Sequence, residues 1–174
     1  MNFNINHSIN LLERTPSVLE SLLAGLPDEW IHTNEGENTW SPFDIVGHLI
    51  NGEKTDWINR TKIILNEDTD KHFPAFDRFS QFDASKGKTI SDLIQEFKFV
   101  RNQNIQYLRS LDLLDLDLDK TGIHPDFGDV TLRQLLSAWT VHDLGHLNQI
   151  TRVLAKNYDL EVGPWKKYLR VLDK

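Results

Sequence analysis

The segment from Thr131 to about Lys156 constrains the fold of this chain more than any other. Its apolar residues recur every three or four positions, which is the spacing of one buried face of an α-helix. This stripe is formed by Leu132, Leu135, Trp139, His142, His146, Ile150 and Val153. The segment therefore predicts a long helix that contributes two histidines to a core-facing stripe.

Three further segments show helical spacing. The first covers about Ile5 to Leu26, and Pro16 within it predicts a kink or restart. The second opens at Ser41, which is a capping residue, and continues to about Asn66. The third starts at Thr89 and continues to about Leu111. Together the four segments predict an all-α fold, a four-helix bundle.

The segment from residue 67 to 88 shows no helical pattern, and connections of this length tend to be functional or mobile. It carries four phenylalanines among polar residues: Phe73, Phe76, Phe79 and Phe82. Two interpretations stay open. The rings anchor the connection to the bundle, or they form an apolar wall or lid over a substrate pocket.

The remaining segments predict connections and one short helix. Apolar and acidic residues alternate over 113–119, and we interpret this stretch as extended or turn-rich because no second strong strand follows. Gly122, Pro125 and Gly128 mark a loop. The segment Gly163 to Leu172 predicts a short helix docked on the bundle. No repeat or linker divides the chain, so residues 1–174 are predicted to form a single domain.

Composition excludes several chemistries. The chain has no cysteine, which excludes disulfides, cysteine-ligated zinc and a cysteine nucleophile. The net charge is −7 without a Lys/Arg cluster, so we expect no nucleic-acid partner. Neither a signal peptide nor an apolar stretch of about 18 residues is evident, so we expect a cytoplasmic protein without a membrane partner.

His142 and His146 are four positions apart, so their side chains lie one above the other on the helix, about 5–6 Å apart at Cβ. Two imidazoles at this spacing can bind one metal ion from the same side. His48, on the second helix, can supply a third ligand and leave one or more coordination positions open, as catalytic sites require. Neutral imidazoles suit zinc, nickel, iron or copper. Gly52, one turn after His48, either leaves room beside the imidazole or allows a close helix–helix approach.

The other histidines are weaker candidates. His7, His32 and His72 are predicted to lie at the surface, whereas His124 is a candidate for the mouth of a pocket. The His142–His146 motif resembles the zincin motif, but an aspartate replaces the glutamate that serves there as general base. A zincin-type protease is therefore disfavoured.

Three motifs together resemble the DinB-like superfamily. They are WSPFDIVGHL at 40–49, GIHPDFG at 122–128 and LLSAWTVHDLGHLNQI at 135–150, and the segment that begins at Gly163 resembles the tail of one branch. The resemblance implies a four-helix bundle of the DinB/YfiT kind, often dimeric. It implies a divalent metal, such as zinc, nickel, iron or manganese, held by His48, His142 and His146.

The resemblance also implies a small-molecule substrate and, in some relatives, a low-molecular-weight thiol as cofactor. The first expectation is a metal-dependent thiol transferase, in which a metal-bound thiolate reacts. The alternatives are a metal-dependent hydrolase, in which a metal-bound water reacts, and a non-catalytic metal-binding bundle with a stress-response role. Arg133, Arg152 or Lys156 could bind the carboxylates of a thiol cofactor. The expected pocket residues are His124, Gly52, Trp139 and Gln149.

Overall fold

A computed structural model describes residues 2–68 and 70–173. Their elements are the helices α1 Ile5–Leu12, α2 Thr15–Leu23, α3 Asp28–His32, α4 Pro42–Thr55, α5 Trp57–Leu65, α6 Ser80–Ser85, α7 Ile90–Ser110 and α8 Leu132–Lys156, and the strands β1 Thr121–His124 and β2 Gly128–Thr131. Four legs, each made of one helix or of two consecutive helices, form a four-helix bundle: α1/α2, α4/α5, α7 and α8. The legs α1/α2 and α8 run in one direction, and α4/α5 and α7 run in the other. The predicted fold class is confirmed.

Three long helices begin where the sequence predicts, because each has a complete capping box. At Ser41, Thr89 and Thr131 the side chain accepts the backbone N–H three residues on, and the side chain of that later residue accepts the N–H of the capping residue. Short-range hydrogen bonds alone therefore define these starts.

Two predicted helices are each divided in the structure. The first is broken after Leu12 and restarts with Pro16 in its first turn, as expected, but it ends at Leu23, and a separate short helix α3 follows. The second was predicted to continue to Asn66, but it breaks at Asp56, whose backbone (φ −116°, ψ −79°) departs from helical geometry. The break turns the indole of the following Trp57 onto Trp139, with ring centroids 5.9 Å apart.

The connection 67–88 contains structure that periodicity did not predict. Phe73 is buried and its backbone N–H donates to Ile123, while α6 packs so closely on α4 that a Cβ at Gly47 would lie 2.6 Å from Ser85 Oγ. Phe76 is half-buried and packs against His48. Phe79 and Phe82 are exposed, so the four rings do not share one role. Phe73 anchors the connection, and Phe76 lies beside His48, one of the three predicted metal ligands.

The predicted loop around Gly122 and Gly128 is instead an antiparallel hairpin, and the prediction was wrong there. Strands β1 and β2 pair from Thr121 with Thr131 to His124 with Gly128. Four-residue strands are too short for a clear alternation of apolar and polar residues. The preceding 113–119 stretch is turn-rich, as predicted, and ends in a 3-10 turn at Asp117–Asp119. The C-terminal segment forms the 3-10 turns Gly163–Tyr168 and Arg170–Leu172, of which only Leu172 is buried.

A polar layer divides the bundle interior into two apolar cores. One core includes Leu12, Ile105 and Trp139, and the other includes Leu19, Phe97 and Ile150. On each leg the polar residues lie between the members of the two cores, except His48, which lies among the residues of the second core on α4. These polar residues are Thr15, His48, Glu53, Arg101, His142, Asp143 and His146. His48, His142 and His146, the histidine cluster, thus form one side of a polar layer that crosses the bundle between the two cores.

No helix in the described ranges is both long enough and apolar enough to span a membrane.

Candidate metal centre

Three imidazoles from two helices converge in the polar layer. The Nε2 atom of His142 lies 3.1 Å from Nε2 of His48 and 3.1 Å from Nε2 of His146. One ligand nitrogen from each of the three lies within 4.8 Å of the others. Within the described residues no other group of histidine, cysteine or acidic side chains forms such a cluster. On α8 the i, i+4 spacing brings the rings of His142 and His146 to 4.3 Å between centroids, and the bundle adds His48.

Burial keeps the imidazoles neutral. It lowers the pKa of His48 to about 3 and that of His142 to about 3, and mutual repulsion with the neighbouring imidazoles adds to the effect. Burial also lowers the pKa of His146, which Gln149 and Asp143 oppose. At neutral pH all three rings therefore carry a free lone pair, which is the form that binds metal.

Aromatic packing and one hydrogen bond orient the rings. Nδ1 of His146 lies 2.9 Å from Oε1 of Gln149, so this nitrogen carries the proton and Nε2 is left as the ligand atom. The His48 ring packs on Trp40 at 4.8 Å and the His142 ring on Trp57 at 5.1 Å. Nδ1 of His48 and of His142 has no hydrogen-bond partner among the described residues, so aromatic packing and the contacts of the Nε2 atoms hold these two rings.

The donor set fits a divalent transition metal. A single N–H or lone pair on His142 Nε2 can make one good hydrogen bond, but it faces two imidazole nitrogens at 3.1 Å. A metal about 2.1 Å from each nitrogen places tetrahedral ligands about 3.4 Å apart, close to the observed separation. Three neutral nitrogens without a protein carboxylate would leave further coordination positions open to substrate or water.

A cavity of about 520 Å³ opens onto the cluster. His48, His142 and His146 line its floor, and Phe76 and His124 belong to its wall. A second cavity of about 510 Å³ lies under the hairpin. The two cavities share a boundary formed by Asp56, Trp57, Arg60, His124 and Phe127. A small molecule therefore has room beside the imidazoles and along the hairpin.

The four residues predicted to line the pocket occupy different positions. His124 lines the cavity, and its ring stacks on Phe127 with centroids 4.3 Å apart. Gly52 also lines the cavity, and its missing side chain makes room for the Trp57 indole, since a Cβ there would lie 3.1 Å from Nε1 of that ring. The Oε1 atom of Gln149 accepts a hydrogen bond from Nδ1 of His146 and so orients that ring. Trp139 is fully buried beneath Trp57 and is not among the residues that line the cavity.

The histidines expected at the surface are exposed: His7, His32 and His72. The cations proposed for a thiol cofactor are paired elsewhere. Arg133 bonds to Asp119, while Arg152 and Lys156 both bind Glu35 and hold the segment before α4 against α8. None of these three cations is among the residues that line the cavity.

Asp143, which replaces the zincin glutamate, is bound to a buried arginine inside the bundle. Its two carboxylate oxygens lie 2.7 and 3.1 Å from the guanidinium of Arg101. Arg101 is 2% exposed and also binds Glu53 at 2.8 Å. Burial lowers the pKa of Arg101, but the Glu53 and Asp143 carboxylates outweigh it and the net pKa is raised. The aspartate supports the polar layer and is turned away from the role of general base.

Sequence reasoning missed the four charged residues that line the cavity: Asp56, Arg60, Arg78 and Asp126. A signal for the first two was present, since positions 48, 52, 56 and 60 are spaced by four and share one helix face. Arg78 gave no such signal, because it follows the Phe73 anchor in an irregular segment.

Comparisons with known proteins agree with this geometry. The model of the DinB superfamily matches residues 11–150. A protein of Oceanobacillus iheyensis named "Putative metal-dependent hydrolase" is 24% identical over 152 residues, covering 86% of each chain. The structure of YfiT from Bacillus subtilis, described as "a probable metal-dependent hydrolase with an unusual four-helix bundle topology", superposes with a TM-score of 0.71. It is 21% identical, and the match covers 88% of this chain and 87% of YfiT.

Proposed function

The chain belongs to the DinB superfamily, and we propose that it is a metal-dependent hydrolase of a small substrate with His48, His142 and His146 as the metal ligands. The observation that carries the proposal is the convergence of three neutral imidazole nitrogens at the floor of an open cavity. The names given to the Oceanobacillus iheyensis and Bacillus subtilis relatives agree with it.

The bound metal would supply Lewis acidity, which polarises a carbonyl or phosphoryl oxygen and lowers the pKa of the attacking nucleophile. In hydrolysis, water adds to the acyl carbon or phosphorus, the bond to the leaving group breaks, and the leaving group ends with a proton. The side chains of this protein must orient the substrate, accept the proton of water and deliver it.

Asp56 is our candidate for the proton acceptor. It is one of two acids that line the cavity among the described residues, the other being the exposed Asp126. Burial raises the pKa of Asp56, and Arg60 opposes this with its Nε 2.5 Å from Oδ1. A carboxylate with a raised pKa is a better base at neutral pH than an ordinary one. His124, which also lines the cavity, is the alternative proton acceptor, and burial lowers its pKa.

Metal analysis tests the ligand set. We expect His142→Ala to lose stoichiometric metal binding, measured by elemental analysis after dialysis, because two imidazoles remain at the floor. His7→Ala, an exposed histidine, is the matched control and should keep full occupancy. Full occupancy in the His142→Ala/His146→Ala double variant would refute the site.

Activity tests the chemistry. We expect metal-loaded protein to hydrolyse members of a panel of small esters, amides and phosphate esters, and Asp56→Asn to lower kcat by about 10²–10⁴ with metal content unchanged. An Asp56→Asn enzyme with wild-type kcat would remove Asp56 from the mechanism. No metal-dependent hydrolysis across the panel would refute the hydrolase.

Thiol transfer is the second candidate, because the cavity carries the cations that a thiol with carboxylates would need, in Arg60 and Arg78. The discriminating assay is metal-dependent conjugation of glutathione, bacillithiol or mycothiol to monochlorobimane. Conjugation without hydrolysis would favour the transferase, and hydrolysis without conjugation the hydrolase. The identity of the metal, the homodimer and the cytoplasmic location stay predictions.

A further inference from the structure

Arg60 is a buried arginine whose guanidinium is only partly paired. It is 6% exposed, and its Nε forms an ion pair with Asp56 at 2.5 Å, while its Cζ lies 5.1 Å above the Phe73 ring. No hydrogen bond from Nη1 or Nη2 is formed with any of the described residues. Nη1 and Nη2 are not among the buried atoms that lack a partner, so these two donors are accessible to solvent or to a ligand. Arg60 lines both cavities, so such a partner can reach it from there.

Arg78 lies on the wall of the same cavity and is exposed. It has no ion pair or hydrogen bond with the part of the chain that the structure describes. Its charge lowers the pKa of His48, after the larger effects of burial and of the two other imidazoles. Arg78 is therefore a free cation within electrostatic reach of the histidine cluster.

The lining of the cavity carries no net negative charge, unlike the protein as a whole. The chain carries a net charge of −7, yet two arginines and two aspartates line this cavity, and one of the aspartates is already paired with Arg60. A divalent metal would make the cavity positive. Guanidinium donors form a planar fork that matches carboxylate and phosphate oxygens.

We propose that Arg60 and Arg78 bind an oxyanion group, carboxylate or phosphate, of a small substrate whose reacting bond faces the three histidines. That the bound molecule is a substrate rests on the proposed function, whereas the binding of an oxyanion by Arg60 and Arg78 does not. Arg60 is the buried contact, and Arg78 is the exposed contact.

Calorimetric titration of metal-loaded protein with succinate, and separately with inorganic phosphate, tests the site directly. We expect Arg78→Ala to raise the Kd of the tighter-binding anion about tenfold, as the loss of one charge-assisted contact requires. Arg60→Lys keeps the charge and removes the fork, and should raise the same Kd severalfold. The anion that binds more tightly identifies the group.

Arg14→Ala is the matched control, because Arg14 is exposed, has no ion pair with a described residue and lies outside the cavity lining. It changes the net charge by the same amount and should leave both Kd values within about twofold. Equal Kd values in the wild type and Arg78→Ala, or an equal rise in Arg14→Ala, would overturn the proposal.

Hydrolysis of two esters, one with and one without a carboxylate, distinguishes failure of the oxyanion site from failure of the proposed hydrolase function. With 4-nitrophenyl acetate and mono-4-nitrophenyl succinate, water adds to the carbonyl carbon, the bond to 4-nitrophenolate breaks and the carboxylic acid is released. The metal-free rate is subtracted for each ester, because the carboxylate of the succinate ester also attacks its own ester carbonyl. We expect a kcat/KM at least about tenfold higher for the succinate ester, lost in Arg78→Ala mainly through KM. Metal-dependent hydrolysis of both esters without preference, together with Arg78-independent anion binding, overturns the oxyanion site alone. Hydrolysis of neither, with Arg78-dependent anion binding, overturns the esterase chemistry and supports the site.

Discussion

Arg101 holds the polar layer together, and its replacement by methionine should be among the most destabilising single changes in the chain. The side chain is 2% exposed and ties three legs of the bundle. Its guanidinium bonds to Glu53 of α4, to Asp143 of α8 and to the carbonyl of Leu12 at the end of α1. Methionine keeps much of the volume and removes every one of these bonds.

The stability lost in Arg101→Met follows from the groups that the substitution leaves without a partner. Glu53 and Asp143 are 3% and 2% exposed, so Arg101→Met leaves two buried carboxylates without their cation. Glu53 still accepts hydrogen bonds from Trp139 Nε1 at 2.9 Å and from Asn104 Nδ2 at 2.9 Å, which reduces the cost at Glu53. Asp143 has no other hydrogen-bond donor among the described residues. Breaking a buried pair from one side costs about 3–5 kcal/mol, and we expect a loss in this range. Domains of this size are stable by only about 5–15 kcal/mol.

Urea unfolding of metal-free protein, followed by far-UV circular dichroism, measures the loss without a contribution from metal binding. Arg109→Met is the matched control, because Arg109 pairs with Glu13 at the surface and should cost less than about 1 kcal/mol. The triple variant Arg101→Met/Glu53→Gln/Asp143→Asn should recover at least about 1 kcal/mol, because the stranded charges are gone. A loss in Arg101→Met no larger than in Arg109→Met would refute the reasoning.

Three further predictions concern other parts of the molecule. Gly122→Ala should lower stability by about 1–3 kcal/mol in urea unfolding, because a Cβ would lie 2.4 Å from the Phe73 ring, and an unchanged midpoint would contradict this. Glu35→Gln should cost about 1 kcal/mol at pH 7, a value kept small by solvent screening. Arg152 and Lys156 lower the pKa of Glu35 from 4.5 to about 2, so its contribution is complete above pH 4.5 and is lost as the pH falls towards 2. The gap between wild type and variant should therefore close over that range, and a constant gap would exclude the ion pairs as its cause. The predicted homodimer should appear in light scattering at twice the chain mass of 20.2 kDa, and a monomer at micromolar concentration would end that prediction.

Much of the candidate site could be predicted because its signals are local. His142 and His146 lie four residues apart on a clear helical stripe, so their juxtaposition follows from helix geometry alone. The break at Asp56 could not be predicted, because its immediate neighbours continue the helical pattern. It depends on the stacking of Trp57 on Trp139, two residues far apart in sequence.

The sequence by itself determined the starts of three long helices, the histidine pair on α8 and the family to which the chain belongs. Capping and periodicity act within a few residues, so the order of residues is enough to specify them. Only the tertiary structure decided that Nε2 of His48 lies 3.1 Å from Nε2 of His142, that Arg101 binds Asp143, and that Arg60 and Arg78 line the same cavity as the histidines. These contacts join residues 18 to 94 positions apart, and the packing of the four legs sets them.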